Sequence, residues 1–431
     1  MKQVSWRKIT VIALSALTFF ALTPAMAKAR ASVPQHAKMS WYASWAASPM
    51  NSHSFPSSVI APTITTLSDQ TVRQIVTISR GGTELRVRFS NEYGSTVLHI
   101  GAASVGYQAP GTASMHRIPL TFSGVASANV PPGAPIISDP VTLKIPNGAT
   151  LEINVYLPDS TPITTEHVLG LQQSYASGPG DYTMADTLPD PAPYEMVDVK
   201  SGNKFFARAF LSEVDVADRM PARTVVAFGD SITDGFHSTQ DENCRWPDYL
   251  ARRIAKAKLR LSVINEGIGG NQVLANGAGD SALTRFDRDA LAIPGASTVI
   301  LLEGINDIGF SGGLIPGFSR PDLIPAEEII QGYRQLIARA HEKGLKIIGA
   351  TMTAFEGSPA YTPQKEAVRE EVNKWIRTSH AFDGVVDFDR ATRDPQHPKR
   401  IKNEYDGGDH IHMSDKGYEA MADAINLAML R

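Results

Sequence analysis

The chain reads as a two-part protein, a β-sandwich or jelly-roll region followed by a three-layer α/β/α domain built on a parallel sheet. Three observations carry that expectation. Apolar residues recur with period two between about Ser40 and Val216, whereas from Thr224 onward continuous apolar runs alternate with amphipathic helical stretches. The 431 residues exceed the roughly 100–200 of a single domain. With 42% hydrophobic and 20% charged residues, the chain can bury a sizeable core, and a disordered or collagen-like protein is excluded.

The first residues form an address. Lys2, Arg7 and Lys8 precede an apolar stretch from Ile9 to Leu22, and Pro24-Ala25-Met26-Ala27 ends in the small-x-small pattern that signal peptidase cuts. The expectation is a signal peptide over residues 1–27, with cleavage after Ala27, Sec-type export and a bacterial periplasmic or secreted protein. The apolar stretch is shorter than the roughly 20 residues a bilayer span needs, and no later run reaches that length, so no membrane span is expected after cleavage. The single cysteine, Cys244, excludes an intrachain disulfide and a Cys-based zinc knuckle. A net charge of −3 gives no basic surface for nucleic acid.

A β-rich domain is expected over residues 28–218. Val72-Arg73-Gln74-Ile75-Val76-Thr77-Ile78 and Leu85-Arg86-Val87-Arg88-Phe89 alternate as strands do, and Arg80-Gly81-Gly82 between them suggests a hairpin. Leu98–Tyr107, Val141–Ile145, Leu151–Leu157 and Phe205–Val214 add further strands between turns rich in Gly, Pro and Asn. Arg219-Met220-Pro221-Ala222 marks the change of pattern.

An α/β domain is expected over residues 219–431. Five apolar runs supply strands: Thr224–Phe228, Leu261–Ile264, Thr298–Leu302, Lys346–Ala350 and Val385–Phe388. Pro325 opens a helix whose Ile329, Ile330, Tyr333, Leu336, Ile337 and Ala340 share one face and which Gly344 ends. Thr362 caps the next helix, with Val368, Val372, Trp375 and Ile376 inward, and Ser414 caps the last, with Tyr418, Met421, Ile425 and Ala428 as its stripe. In such a sheet a site lies beyond the carboxyl ends of the strands.

Four fragments at those ends carry chemistry. Gly229-Asp230-Ser231-Ile232-Thr233 places a hydroxyl directly after the first strand. A serine needs a base and a carboxylate to orient it, and Asp409-His410-Ile411-His412 supplies both just before the last helix. Asn265-Glu266-Gly267-Ile268-Gly269-Gly270-Asn271 clusters glycines whose N–H groups could meet an oxyanion, and Gly304-Ile305-Asn306-Asp307 offers a side-chain amide, with Asp307 orienting its loop. Singly each fragment is weak, since a serine after a strand is more often a helix cap or turn residue, the glycines make a plain tight turn as readily, and Asn-Asp after a strand signals a turn; what distinguishes them is that all four converge on one sheet edge.

In this order the fragments resemble the blocks of the SGNH hydrolases, the GDSL esterase/lipase superfamily, over about Arg223 to Arg431. The resemblance implies a flavodoxin-like domain in which Ser231 is the nucleophile, His412 the base and Asp409 its orienting carboxylate. It also implies that the oxyanion is met by Ser231, Gly270 and Asn306, with no metal and no other cofactor. The first block carries Ile where the superfamily's name implies Leu, which leaves the chemistry untouched. Thr71-Val72-Arg73-Gln74 and Phe89-Ser90-Asn91-Glu92-Tyr93-Gly94 are similar to the leading β-region of two-part extracellular members, among them xylan-esterase-like proteins. The implied activity is hydrolysis of carboxylic esters, short-chain or acetyl, on a small molecule or a glycan, through an acyl-enzyme. Lipase, lysophospholipase and thioesterase chemistry use the same machinery.

Two rivals stand beside that reading. Asp409, His410 and His412 are clustered donors that could serve metal-assisted deacetylation, although no second donor group has ligand spacing. Alternatively the β-region is a carbohydrate-binding or adhesion module on an inactive scaffold, with Trp41, Tyr42, Trp45, Tyr175 and Tyr182 stacking on sugars; the more ordinary role for such aromatics is core packing. Asn91 is expected to hold a turn, and Cys244 to be a free thiol without catalytic work.

Overall fold

The period-two segments fold as two antiparallel sheets. In the computed structural model, which describes residues 39–112, 114–313 and 320–431, one sheet joins β1 (Ser40–Ala46), β7 (Leu211–Asp218) and β3 (Gly82–Ser90), with the short strands Pro135–Ile137 and Val141–Ile145 also on β3. The other is centred on β2 (Gln70–Thr77) and β5 (Thr150–Leu157), flanked by β6 (Ser174–Pro179) and β4 (Ala102–Tyr107). The alternation puts Leu85, Val87 and Phe89 of one sheet and Val72, Val76, Leu151, Ile153 and Val155 of the other into a shared core, a sandwich. The expected signal peptide and its cleavage point lie outside the described residues.

The hairpin expected around Arg80-Gly81-Gly82 does not form. Strands β2 and β3 belong to different sheets, and the short link between them crosses the sandwich. The close approach explains the glycine: a Cβ on Gly81 would sit 2.0 Å from the carbonyl oxygen of Ile145. Two other runs are broken where one strand was expected. Leu98–Ile100 is separate from β4, and Phe205–Val214 resolves into Lys204–Phe206, Arg208–Ala209 and β7.

The second half forms a five-stranded parallel sheet of β8 (Arg223–Gly229), β9 (Leu261–Gly267), β10 (Ala296–Leu302), β11 (Lys346–Ala350) and β12 (Gly384–Val386), in spatial order β9-β8-β10-β11-β12. The order reverses at β8, so a crevice opens beyond its carboxyl end. Helices cover both faces. Among them are α1 (Ser231–Asp234), α2 (Trp246–Lys256), α3 (Ala282–Phe286), α4 (Ile305–Gly309), α5 (Ala326–Glu342), α6 (Pro363–Thr378), α7 (Phe388–Thr392) and α8 (Asp415–Ala424). The caps are those the sequence predicts: Thr362 Oγ1 accepts the N–H of Lys365 and Ser414 Oγ that of Gly417. Helix α8 stops at Ala424, so Ile425 closes it and Ala428 falls in a following 3-10 turn.

Residues Met39–Arg431 constitute one compact unit. The two cores share members: Ala43 and Ala46 of β1 pack into the α/β core, and Ile268 packs into that of the sandwich. The edge strand β9 is covered from the β side, where Ser79 Oγ accepts the N–H of Val263 at 3.0 Å. Tyr42 and Trp45, two of the aromatics considered for sugar stacking, are core residues at 0% and 7% exposure. Among the described residues no helix is long and apolar enough to cross a membrane.

Candidate active site

Strand β8 delivers Ser231 to the crevice. Asp230 caps α1, accepting the N–H of Ile232 at 2.9 Å, and Ser231 starts the helix with an N–H that has no partner within it. Gly229 permits the sharp exit, since a Cβ there would stand 2.2 Å from Thr233 Oγ1. His412 arrives from the loop before α8, its Nε2 2.7 Å from Ser231 Oγ and its Nδ1 2.6 Å from Asp409 Oδ2. The other carboxylate oxygen of Asp409 accepts the N–H groups of Ile411 and His412. The ring of Phe236 lies 4.7 Å from that of His412 at 63°, an edge contact that fixes the imidazole plane.

Asp409 has a further partner that lay hidden in the sequence. His237 Nε2 approaches Asp409 Oδ2 at 3.2 Å. Burial alone would raise the Asp409 pKa, but hydrogen bonds from His237 and His412 and the His412 charge outweigh it and hold the carboxyl far below the usual range. His410 turns away to Asp406, at 2.5 Å, so the cluster read from Asp409, His410 and His412 is replaced by His237, Asp409 and His412.

Gly270 and Asn306 line the same cavity as Ser231 and His412. Gly270 has φ +76°, and a Cβ there would meet that of Ala278 at 2.8 Å, so the loop needs glycine for conformation and for space. Asn306 Nδ2 donates to the carbonyl of Asn271 at 2.9 Å, which ties α4 to the glycine loop and leaves its second N–H for another acceptor. Asp307 orients the loop as expected, accepting the N–H groups of Val273 and Leu274 at 2.7 and 3.1 Å. Burial raises its pKa to about 7.

Beneath the loop lies Arg285, fully buried. Its guanidinium donates to Asn271 Oδ1, Ser48 Oγ, the carbonyls of Gly229 and Glu266, and Asp289 Oδ2, at 2.8 to 3.2 Å. Strand β8, the glycine loop and the β-region thus meet on one side chain. His167 of the β-region makes a parallel link, with Nε2 3.1 Å from Asp234 Oδ1 while Asp234 Oδ2 accepts the N–H of Gly269 at 3.0 Å. Neither residue sits in a motif or beside one in sequence, and only the fold brings them in.

The cavity, about 290 Å³, is walled by both halves. Phe55, Ile60, Val168 and Leu169 come from the β-region, while Phe236, Ile305, Phe310 and Ile411 come from the α/β part. A larger space of about 430 Å³ opens near Thr77, Asn147 and Arg245, and none of the five site residues predicted from sequence lines it.

A doubly wound parallel sheet with a hydroxyl, an imidazole and a carboxylate in line at its carboxyl edge is the architecture of an α/β hydrolytic enzyme. Residues 227–420 match the model of the GDSL-like Lipase/Acylhydrolase family, and this part of the chain is a GDSL-like lipase/acylhydrolase domain. Similar solved structures include a putative lipolytic protein of the G-D-S-L family from Desulfitobacterium hafniense DCB-2 (22% identity, TM-score 0.35, covering 47% of this chain and 96% of that one). The carbohydrate acetylesterase Est24 from Sinorhizobium meliloti is 20% identical over 48% of this chain and 100% of its own, with a TM-score of 0.36. The acetyl xylan esterase AlAXEase is 19% identical over 47% and 96%, also at 0.36. No curated protein sequence matches the chain.

Proposed function

We propose that the protein is a serine esterase that hydrolyses short-chain carboxylic esters through an acyl-enzyme at Ser231. The observation that carries this reading is the unbroken line Ser231 Oγ, His412 Nε2, His412 Nδ1, Asp409 Oδ2, with contacts of 2.7 and 2.6 Å, opening into an apolar cavity. His412 takes the hydroxyl proton as Ser231 Oγ attacks the ester carbonyl, and Asp409 holds the Nδ1–H tautomer and stabilises the imidazolium. The N–H groups of Ser231 and Gly270 and the side-chain amide of Asn306 meet the oxyanion. His412 returns the proton to the departing alcohol, then activates the water that frees the acid.

The acyl group lies against Phe55, Val168, Leu169 and Ile305, so the β-region supplies half of the acyl wall. That placement supports small-molecule esters with a short apolar acyl chain; the acetylated-glycan alternative rests on the resemblance of residues 70–110 alone. We place the enzyme outside the cytoplasm on the strength of the signal peptide expected over residues 1–27, which cell fractionation and N-terminal sequencing of the mature chain would test.

The deciding experiment is hydrolysis of p-nitrophenyl esters of increasing acyl length, beside acetylated xylan, by wild type and Ser231→Ala. Wild type turns over acetate and butyrate and the variant loses essentially all of it. Equal rates for the two proteins refute the proposal. Preference for long chains refutes the short-chain part, and release of acetate from xylan at rates matching the best small ester shifts the substrate to the glycan.

A further inference from the structure

Asp409 is approached by two imidazoles, and the serine relay uses only one of them. His237 stands in the turn that follows α1, two residues beyond its cap Gly235 and outside all four sequence blocks, with Nε2 3.2 Å from Asp409 Oδ2. His412 Nδ1 is 2.6 Å from the same oxygen. One ligand atom from each of the three residues lies within 4.8 Å of the others. Two neutral imidazole nitrogens and a carboxylate oxygen form a borderline-soft donor set that suits Zn²⁺. In a tetrahedral Zn²⁺ site with bonds of about 2.1 Å, donor atoms stand about 3.4 Å apart. The His237–Asp409 pair already has that spacing, and the His412–Asp409 pair reaches it by opening about 0.8 Å. Water completes the shell from the open side, where the His237 side chain is 31% exposed.

We infer that His237, Asp409 and His412 form a reversible Zn²⁺ site that switches off the hydrolase by capturing the back of its base. The consequence for catalysis follows from tautomers. In the metal-free enzyme His412 carries its proton on Nδ1 and offers the Nε2 lone pair to the Ser231 hydroxyl. When Nδ1 gives its lone pair to Zn²⁺, the ring's single proton moves to Nε2, which then faces Ser231 as a donor and cannot accept a proton. No net proton is gained or lost by the ring, and no redox partner is involved. The site is therefore inhibitory, and removal of the ion restores activity in full.

The loss of activity rests on the esterase reading, whereas binding of the ion does not, so the two are measured separately. Isothermal titration of chelator-treated protein with ZnCl₂ should give one saturable site per chain in wild type and in Ser231→Ala. His237→Gln should weaken that site at least tenfold. His410→Gln, which alters the neighbouring His410–Asp406 pair, and Cys244→Ser, which removes the only thiol, should leave it unchanged. Over the same concentrations Zn²⁺ should abolish p-nitrophenyl butyrate hydrolysis by wild type, and EDTA should restore it. Absence of a saturable site, or equal affinity in His237→Gln, overturns the metal site. Stoichiometric binding without inhibition overturns the tautomer argument while leaving the esterase intact. Binding in a wild type that hydrolyses no ester overturns the esterase reading and leaves the site standing.

Discussion

Arg285→Met tests whether the buried guanidinium positions the reactive loops or only fills space. The substitution keeps an apolar stem of similar length and removes six hydrogen bonds. Asp289 retains Arg288, at 2.5 and 2.9 Å, and Glu303 meets Arg285 only at 3.4 Å, the longest of its contacts, while burial raises the Glu303 pKa. What remains are two orphaned neutral acceptors, the carbonyl of Glu266 and Asn271 Oδ1, because the Gly229 carbonyl keeps the N–H of Ile268 at 2.9 Å. At roughly 1–1.5 kcal/mol each they sum to about 2.5 kcal/mol. A folded unit from Met39 to Arg431 unfolds with an entropy of about 0.8 kcal/mol/K, so the melting temperature should drop by about 3 °C. The same hydrogen bonds hold β8 and the glycine loop, and Asn271 anchors Asn306. A displacement of about 1 Å there costs on the order of 10²-fold in kcat. Calorimetry and steady-state hydrolysis of p-nitrophenyl butyrate read the two effects. A lower melting temperature with kcat within twofold of wild type would reduce Arg285 to a packing residue, and an unchanged melting temperature would refute the count of orphaned acceptors.

Three further outcomes follow from the same geometry. On the proposed mechanism, in which its amide meets the developing oxyanion, Asn306→Ala should lower kcat by about 10²–10³ with KM little changed; an equal rise in KM would assign it to ground-state binding. Stability should fall as the solution goes from pH 5 to pH 8. Burial raises the pKa values of Asp230, Asp307 and Glu166 to about 7 and of Glu213 to about 8, so the folded state keeps protons that the unfolded chain releases above about pH 4. The lowered carboxylates, Asp387 and Asp409, change their contribution only below about pH 4, so they do not reverse the sign in this window. Melting curves that are flat or rising over this range would refute it. Cys244→Ser should retain esterase activity, because the thiol is partly exposed, its pKa is raised by burial, and it lies outside the cavity that holds Ser231; near-complete loss would give the thiol a role that its position does not explain.

Short-range chemistry was legible and long-range chemistry was not. The five parallel strands and the caps at Thr362 and Ser414 could be read from sequence because periodicity and capping act within a few residues. Asp307 was legible for the same reason, as it binds the backbone of the adjoining loop. The hairpin around Gly81 failed because a glycine link serves a tight turn and a sheet-to-sheet crossing equally well, and the choice depends on partners as distant as Ile145. His237, His167 and Arg285 were missed since each acts on a residue many positions away and none carries a spacing signal. His410, the neighbour of His412 in sequence, was the more visible ligand candidate, but at φ +65° its backbone directs the ring to Asp406.

The leading β-region decides what the hydrolase half can do alone. If it were an appended binding module, residues 219–431 would fold and cleave small esters without it. Four contacts argue against that. Ser79 satisfies a backbone N–H of the edge strand β9, and Ala43 N–H donates to the carbonyl of Pro294 at 2.9 Å. Phe55, Ile60, Val168 and Leu169 close the acyl cavity, and His167 holds Asp234 against the glycine loop. Deleting residues 28–218 therefore bares an edge strand, strips the cover that Ala43 and Ala46 provide to the α/β core, and opens the cavity to water. The truncated chain should be insoluble or, if recovered, inactive on butyrate. The milder Leu169→Ala should keep the fold and lose discrimination between acetate and butyrate by roughly tenfold, the worth of one or two buried methylenes. A soluble truncated chain with wild-type kcat/KM on p-nitrophenyl butyrate would refute the shared site and return the β-region to the role of a separate module.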